Sequence, residues 1–363
     1  MPINLDGAVW RRVRTHLPAD YALEEATHYL SSREIDTKAV IRVFEAGQST
    51  PDLILKTSAC NRPEEQALAD EFHALTALQA LADQGHDMPF STPRPLDFFL
   101  EGGQRYMAQT LAVGKPISEL IFLQHRRRRI RFLHDEMSRC VEVGSGLSQT
   151  LRQRLAARPV NPSWYKAPES LALGSDDRHF LATIAHECVR RDSHAHGDFT
   201  IENVYWDRAS GQITVIDWEL PMRGVPRLYD AFVFLFSSLP AMALEEHRVS
   251  TESERLPQQF RESFFGTGVW AAATRAILHR IAPAVPHSES ECWGEMLMSL
   301  VIRTNYFLWR APALGQQYLR LIDCALQHKS SFVGRTTSGS PLQKFPVPPT
   351  PLGVNEMPGS STI

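Results

Sequence analysis

Two apolar stretches near the start of the chain have the composition of β-strands. KAVIRVFEAG, residues 38–47, and DLILKTS, residues 52–58, are rich in β-branched and aliphatic residues, and the polar turn QSTP lies between them. β-Branched residues pack well on a pleated surface, and two such runs joined by a polar turn are typical of a hairpin. The pattern therefore predicts a β-hairpin in this part of the chain.

The residues that follow repeat their apolar positions with the period of an α-helix. One predicted face carries Leu68, Phe72, Leu75, Leu78 and Ala82. Asn61 is the predicted N-cap, with Glu64 three residues later and Pro63 in the first turn, where a missing N–H costs nothing. Glu71 lies on the same face as the leucines, so its carboxylate is predicted to point inward, where a buried charge needs a cation nearby.

Farther along the chain the pattern changes from mixed strand and helix to mainly helix. RYMAQTLAVG, residues 105–114, predicts a strand that ends in a glycine connector, and the helical pattern after it is interrupted by one β-rich passage at 203–220. The end of the chain is rich in Pro, Ser, Thr and Gly without periodicity, which is typical of disorder. We therefore expect three parts: a strand-rich lobe in residues 1–112, a larger helical lobe in residues 113–333 and a disordered tail in residues 334–363.

Composition and charge narrow the class of protein. Hydrophobic residues make up 43% of the chain and charged residues 22%, and the formal net charge is −3, which favours a globular protein with a real core over a nucleic-acid binder. The most apolar stretch, AFVFLFSSLPAMAL from Ala231, is too short to span a bilayer and predicts a buried helix. Five scattered cysteines without a C-x-x-C pair, and an N-terminus without the apolar core of a signal peptide, favour a cytoplasmic location.

The clearest chemical pattern is HAHGDFTIENVYWDRASGQITVIDWEL, which starts at His194. Asn203 comes five residues after Asp198, and Asp217 ends the run ITVID. VYWD and ITVID are joined by a turn with a glycine, so we expect them to pair as a hairpin that brings Asn203 near Asp217. Two oxygen ligands and a nearby carboxylate would then converge.

Phosphoryl transfer requires such a convergence. A hard cation such as Mg²⁺ prefers oxygen ligands and bridges the phosphates of a nucleotide, while a further carboxylate must orient the attacking hydroxyl. The kinase catalytic loop has Asp followed by Asn at the same five-residue interval, and a separate Asp for the metal. The pattern therefore favours a kinase-type site.

H-G-D-x-x-x-x-N followed by I-D-W-E resembles the signature of aminoglycoside phosphotransferases, choline kinases and their relatives. The resemblance implies an α+β, two-lobed protein-kinase-like fold, with a small β-rich N-lobe holding one long helix and a larger, mainly helical C-lobe. It implies an enzyme that moves the γ-phosphoryl group of ATP or GTP to a hydroxyl of a small molecule, with Mg²⁺ as cofactor. The implied roles are catalytic base for Asp198, metal ligands for Asn203 and Asp217, and support of the catalytic loop for His196, Gly197 and Asp230.

The N-terminal half adds to this resemblance. Lys56 ends the apolar run LILK on a predicted strand, where a kinase lysine holds the α- and β-phosphates, and Glu71 is its predicted acidic partner. YMAQTLAVGKPISEL, residues 106–120, is similar to the strand that links the lobes in the family. One stretch departs from the kinase pattern. Kinases cover the phosphates with a Gly-rich loop, but the equivalent stretch here, LSSREIDTKAV at residues 30–40, contains no glycine. The choice between ATP and GTP stays open.

Several alternatives remain open at the level of sequence. A non-catalytic kinase-like nucleotide-binding module would keep the same residues, and a metal-dependent hydrolase would use His194, His196 and Asp198 instead. The run HRRRRIRFLH, residues 125–134, is predicted to be a solvated helix face or a contact for an anionic partner. An aminoglycoside, an amino alcohol and a sugar-like molecule are equally compatible as the hydroxylated acceptor, and the sequence favours no oligomeric state. Protein-kinase markers such as D-F-G are absent, which argues against a protein substrate.

Overall fold

The computed structural model describes most of the chain, and its description covers residues 7–18, 28–30, 39–44, 48, 50–60, 62–122, 136–151, 155–171, 173–243, 252–281 and 289–328. These residues form two lobes, one built on an antiparallel sheet with a long helix and the other mainly helical. This architecture agrees with the α+β, two-lobed organisation that the sequence predicts.

The small lobe is a five-stranded antiparallel sheet with a helix on either side. Its elements are α1 (Gly7–Arg14), β1 (His28–Leu30), β2 (Ala39–Val43), β3 (Leu53–Ala59), α2 (Pro63–Asp83), β4 (Pro95–Glu101) and β5 (Gln104–Gln109), and the strand order is β1-β2-β3-β5-β4. The predicted hairpin is confirmed, since β2 and β3 pair with Val40 opposite Lys56. Val9 and Val13 of α1 pack on the apolar side chains of the sheet.

The long helix α2 is confirmed, but its predicted N-cap is wrong. The N-cap position is Arg62, in an extended conformation with φ −110° and ψ 153°, and its side chain makes no capping hydrogen bond. Pro63 begins the helix, and the proline ring forces the residue before it out of the helical region. The helix therefore starts at the proline, while Asn61 lies outside the described residues. Leu68, Leu75 and Leu78 are buried, as the periodicity predicts.

The larger lobe contains most of the helices. Its helices are α3 (Ile117–Phe122), α4 (Ser138–Leu151), α5 (Ser175–Arg191), α6 (Tyr229–Ala243), α7 (Glu252–Phe265), α8 (Val269–Ile281), α9 (Glu289–Arg310) and α10 (Pro312–Gln327), with a 3₁₀ turn at Pro162–Tyr165. Its short strands are β6 (Lys115–Pro116), β7 (Arg158–Pro159), β8 (His194–Ala195), β9 (Val204–Asp207), β10 (Gln212–Val215) and β11 (Met222–Arg223). None of the described helices is long and apolar enough to cross a membrane.

The β-rich passage forms the hairpin that the sequence predicts. β9 and β10 pair antiparallel, and β6 adds to the other edge of β9, with Lys115 opposite Trp206. Gly114 leads into β6 with φ +93°, and a Cβ there would lie 2.4 Å from the Trp206 carbonyl carbon. The connector between the lobes therefore needs glycine at this position.

The core of the larger lobe centres on α6, which is the predicted buried helix. Phe232, Phe234 and Phe236 of this helix are fully buried. Burying a phenylalanine side chain stabilises a fold by about 1.5–3 kcal/mol, so these three residues anchor α6 in the core.

Some predictions concern residues that lie outside the described ones. These are most of the glycine-free stretch (31–38), the arginine run (125–134) and the tail (334–363). The boundary expected at 112 and 113 falls in the connector between β5 and β6.

Candidate active site

Lys56, on β3, lies where the small lobe meets the larger one. Its Nζ donates to Glu71 Oε1 at 2.6 Å and Oε2 at 2.8 Å, and to Asp217 Oδ1 at 3.0 Å. The Glu71 side chain is 0% exposed, so it points inward as its helical position predicts. Burial would lower the pKa of Lys56, but the carboxylates of Glu71 and Asp217 outweigh burial and raise it. The ammonium therefore stays charged.

Asp217 lies two residues beyond the end of β10 and has an unusual backbone conformation. Its φ angle is +63°, in the left-handed region that aspartate tolerates better than most residues. The Ile216 N–H donates to the Asn203 carbonyl at 3.0 Å. On the other side, Trp218 is fully buried and its Nε1–H donates to the Val215 carbonyl at 3.0 Å. The residues on both sides of Asp217 are thus fixed.

Asp230, in the first turn of α6, holds the loop that leads to Asp198. Its carboxylate accepts the N–H of His196 at 2.8 Å and the N–H of Gly197 at 3.1 Å. Burial raises the pKa of Asp230 to about 7, although the two N–H donors act in the opposite direction. Gly197 has φ +90°, and a Cβ there would lie 2.0 Å from the carbonyl oxygen of Leu220. This contact explains why the H-G-D motif has glycine in its second position.

His196 is a buried, neutral brace of the same loop. The Asp198 N–H donates to His196 Nδ1 at 3.2 Å, so the ring proton resides on Nε2, which donates to the Ile216 carbonyl at 2.9 Å. Burial lowers the pKa of His196. Because both ring nitrogens are engaged, His196 has no lone pair for a metal, which removes the support for the hydrolase alternative.

Asp198 and Asn203 are joined by two hydrogen bonds within the loop that follows the H-G-D motif. Asn203 Nδ2 donates to the Asp198 carbonyl at 2.9 Å and to its Oδ2 at 3.1 Å. The amide nitrogen of Asn203 therefore faces Asp198, and its amide oxygen faces away. The Asp198 side chain is 30% exposed, so it is accessible to a small molecule.

A metal site would combine the oxygen donors of Asp217 and Asn203. The backbone contact at Ile216 sets these two residues next to each other, and a carboxylate with an amide oxygen suits a hard cation such as Mg²⁺, which keeps several waters and phosphate oxygens in its shell. Among the described residues, no group of three or more His, Cys, Asp or Glu side chains is placed to hold a metal ion. The donor set therefore fits Mg²⁺ bound with a nucleotide better than zinc.

Arg303, on α9, is a residue of the site that sequence reasoning missed. Its Nη2 donates to Asp198 Oδ1 at 2.5 Å, and its Nη1 donates to the Gly197 carbonyl at 3.3 Å. A signal was present in the sequence, because Arg303 interrupts the apolar run MLMSLVIRTNYFLW and a charged residue is rarely buried unless it is paired. The sequence pattern does not indicate, however, which acidic residue pairs with Arg303.

Two acids of the larger lobe are paired with arginines. Glu295 is buried, accepts the Leu228 N–H at 2.8 Å and pairs with Arg191 at 3.4 Å. Glu219 pairs with Arg310 at 3.6 Å.

A model of the APH phosphotransferase enzyme family matches residues 37–271, more than half of the chain. This chain belongs to the APH family. Membership identifies it as a phosphotransferase at the level of the family and confirms the family predicted from its motifs. The APH match includes five residues of the site, Lys56, Glu71, Asp198, Asn203 and Asp217, and ends before Arg303.

Solved structures similar to this chain include aminoglycoside phosphotransferases. An aminoglycoside-3'-phosphotransferase of type VIII is 16% identical, with a TM-score of 0.48 over 82% of this chain and 97% of that one. APH(3'')-Id from Streptomyces rimosus is 16% identical, with a TM-score of 0.43 over 76% of this chain and 97% of that one. The same protein in complex with ADP and streptomycin is 15% identical, with a TM-score of 0.42 and the same two coverages. No curated protein sequence matches significantly.

Proposed function

We propose that this protein transfers the γ-phosphoryl group of ATP or GTP to a hydroxyl group of a small molecule, with Mg²⁺ as cofactor. The observation that carries the proposal is the position of Lys56, whose Nζ bonds Glu71 within its own lobe and Asp217 in the other. An ammonium held beside a carboxylate that could bind a metal ion is suited to binding the phosphates of a nucleotide.

The nucleotide side of the proposed site uses Lys56 and Glu71. Lys56 would hold the phosphate oxygens, and Glu71 fixes the ammonium from the opposite side through two hydrogen bonds. Because the pKa of Lys56 is raised, the ammonium carries its charge throughout the physiological range of pH. Lys56 therefore supplies a fixed positive charge rather than a proton.

The metal side uses Asp217 and Asn203. Mg²⁺, when bound there, would neutralise charge on the phosphate oxygens. The chain's own part is to hold the carboxylate of Asp217 in its left-handed turn and the amide of Asn203 beside it.

The acceptor side uses Asp198. Its carboxylate would orient the acceptor hydroxyl, whose oxygen forms a bond to the γ-phosphorus while the bond from that phosphorus to the β–γ bridging oxygen breaks. The hydroxyl proton passes to Asp198. His196, Gly197 and Asp230 keep the loop in place, as the contacts between Asp230 and the two N–H groups support.

We also place the protein in a reducing compartment, the cytoplasm. All five cysteines are free, and three of them, Cys140, Cys188 and Cys324, are buried. Buried free thiols without disulfides are usual in proteins of reducing compartments.

The test is nucleotide turnover with a panel of hydroxylated acceptors. ADP or GDP release is measured with Mg²⁺ and streptomycin, ethanolamine or glucose, and nucleotide binding is titrated in parallel with and without Mg²⁺. We expect the nucleotide to bind more tightly with Mg²⁺ than without it. We expect ADP or GDP release only when an acceptor of one of these classes is present. Magnesium-dependent binding without turnover on a broad acceptor screen would favour the non-catalytic module instead. Equal affinity with and without Mg²⁺ would contradict the metal site.

A further inference from the structure

Arg303 is a buried cation placed directly behind the proposed catalytic carboxylate. Its side chain is 4% exposed. Besides its bonds to Asp198 and Gly197, its guanidinium carbon lies 4.4 Å from the ring centre of Phe307 and 5.7 Å from that of Tyr306. The aromatic rings confine the guanidinium plane, so its position is set by packing as well as by charge.

The charge of Arg303 is permanent. Burial would lower its pKa, but Asp198 outweighs burial and raises it. A buried cation that loses its partner destabilises a fold strongly, so the position requires an anion at Asp198. The two residues therefore fix each other.

The hydrogen bonds divide the two oxygens of Asp198 between two partners. Arg303 takes Oδ1 at 2.5 Å, and Asn203 donates to Oδ2 at 3.1 Å. With both partners in place each carboxylate oxygen accepts one hydrogen bond, so the carboxylate cannot rotate freely. A buried carboxylate, Asp230, binds the same loop, and Arg303 offsets part of the repulsion between the two acids.

We propose that Arg303 is a positioning residue for phosphoryl transfer, which holds the Asp198 carboxylate in place for the acceptor hydroxyl through its bonds to Oδ1 and to the Gly197 carbonyl. The inference rests on the proposed function. It assigns Arg303 a role through Asp198 and no contact with nucleotide or metal. Its effect should therefore appear in kcat and in acceptor use, while nucleotide affinity stays unchanged.

The experiment is a double-mutant cycle on the full chain with Arg303→Met, Asp198→Asn and the double variant. We expect Arg303→Met to lower kcat by about 100-fold, the scale of a misplaced general base, with nucleotide affinity in the presence of Mg²⁺ within about twofold of the parent. In the Asp198→Asn background, the same change should lower kcat by less than about threefold, because a residue that acts through Asp198 has nothing left to position.

Two further variants separate positioning from folding. Arg303→Lys keeps the positive charge but loses the planar guanidinium, which can donate to two acceptors at once. We expect its kcat to lie between those of Arg303→Met and the parent. Arg191→Met is the control for folding, because it takes away the arginine that pairs with Glu295, a buried acid on α9. It should lower the melting temperature without changing kcat. If Arg303→Met does not fold, the double variant, which leaves no unpaired buried charge, and Arg303→Lys decide the question.

The outcomes are distinct. Parental kcat in Arg303→Met overturns the positioning role. A double variant whose loss of kcat is the product of the two single losses also overturns it. A loss of nucleotide affinity equal to the loss of kcat also overturns it. If the parent itself shows no acceptor-dependent turnover, the proposed function fails, and this inference fails with it.

Discussion

Lys56 and Asp217 are 161 positions apart in the chain, and Lys56 Nζ donates to Asp217 Oδ1 at 3.0 Å. The contact joins a strand of the small lobe to the turn after β10 in the larger lobe. The Lys56–Glu71 pair, in contrast, lies within the small lobe. One ammonium therefore connects the two lobes, at the place where the proposed function puts the nucleotide phosphates and the metal.

Lys56→Met should lower both turnover and stability. The substitution leaves the fully buried carboxylate of Glu71 without its cation, and breaking a buried pair in this way costs about 3–5 kcal/mol. Lys56→Met combined with Glu71→Gln should regain much of the melting temperature but none of the turnover, because the charge for the phosphates is still missing. Thermal unfolding and ADP release are the measurements. Parental turnover in the double variant would show that Lys56 does not serve the phosphates.

Asp198→Asn and Asp217→Asn should separate the two carboxylate roles. Asp198→Asn should lower kcat by about 10²- to 10⁴-fold and spare nucleotide affinity, because the amide cannot accept the hydroxyl proton. It should also lower the melting temperature, because buried Arg303 loses its anion. Asp217→Asn should weaken nucleotide binding in the presence of Mg²⁺ as well as the rate. Nucleotide titration beside turnover checks both. The reverse pattern, with binding lost only in Asp198→Asn, would exchange the two assignments.

Asp230→Asn should destabilise the catalytic loop. The amide oxygen accepts one of the two N–H groups of His196 and Gly197, and the amide nitrogen then faces the other donor, at a cost of about 1–3 kcal/mol. The change should also lower kcat, because the loop carries Asp198. Urea unfolding and turnover at pH 7 measure these effects. Unchanged values of both would show that the loop is held by other contacts.

The same variant tests the raised pKa of Asp230. A carboxyl whose pKa is about 7 in the folded state and about 3.9 in the unfolded state binds its proton more tightly when folded. The stability it contributes is fully present below the unfolded pKa and is lost as the pH rises towards 7. The stability of the parent relative to Asp230→Asn should therefore fall between about pH 4 and 7 and then stay level. A difference that is constant over this range would place the folded pKa near the ordinary value.

Gly197→Ala should prevent the H-G-D loop from adopting its present path. The new Cβ would lie 2.0 Å from the Leu220 carbonyl oxygen, which is a clash with the backbone. The φ angle of +90° is also strained for alanine, so two separate effects destabilise the variant. We expect a loss of stability above about 2 kcal/mol and loss of turnover. Gly146→Ala on α4, where a Cβ meets nothing within 4 Å, is the matched control and should be stable and active. A Gly197→Ala protein as stable as the parent would contradict the described loop.

The sequence by itself determined the features that depend on short spacing. The hairpins, the helix face that carries Glu71 and the interval from Asp198 to Asn203 lie within stretches of a few residues, where backbone period and turn chemistry set which side chains share a face. Through their resemblance to the motifs of a known family, those patterns were enough to predict the family and the two-lobed fold. The N-cap at Asn61 was wrong because the proline at position 63 decides where a helix starts.

The tertiary structure alone decided the contacts between distant parts of the chain. Arg303 meets Asp198 across 105 positions, and Asp217 turns left-handed because the residues on both sides of it are tied down. No local period encodes such contacts, since they depend on how α9 packs against the catalytic loop and how the lobes meet. A buried arginine in an apolar helix indicates that an anion must be near, but only packing selects which carboxylate it binds.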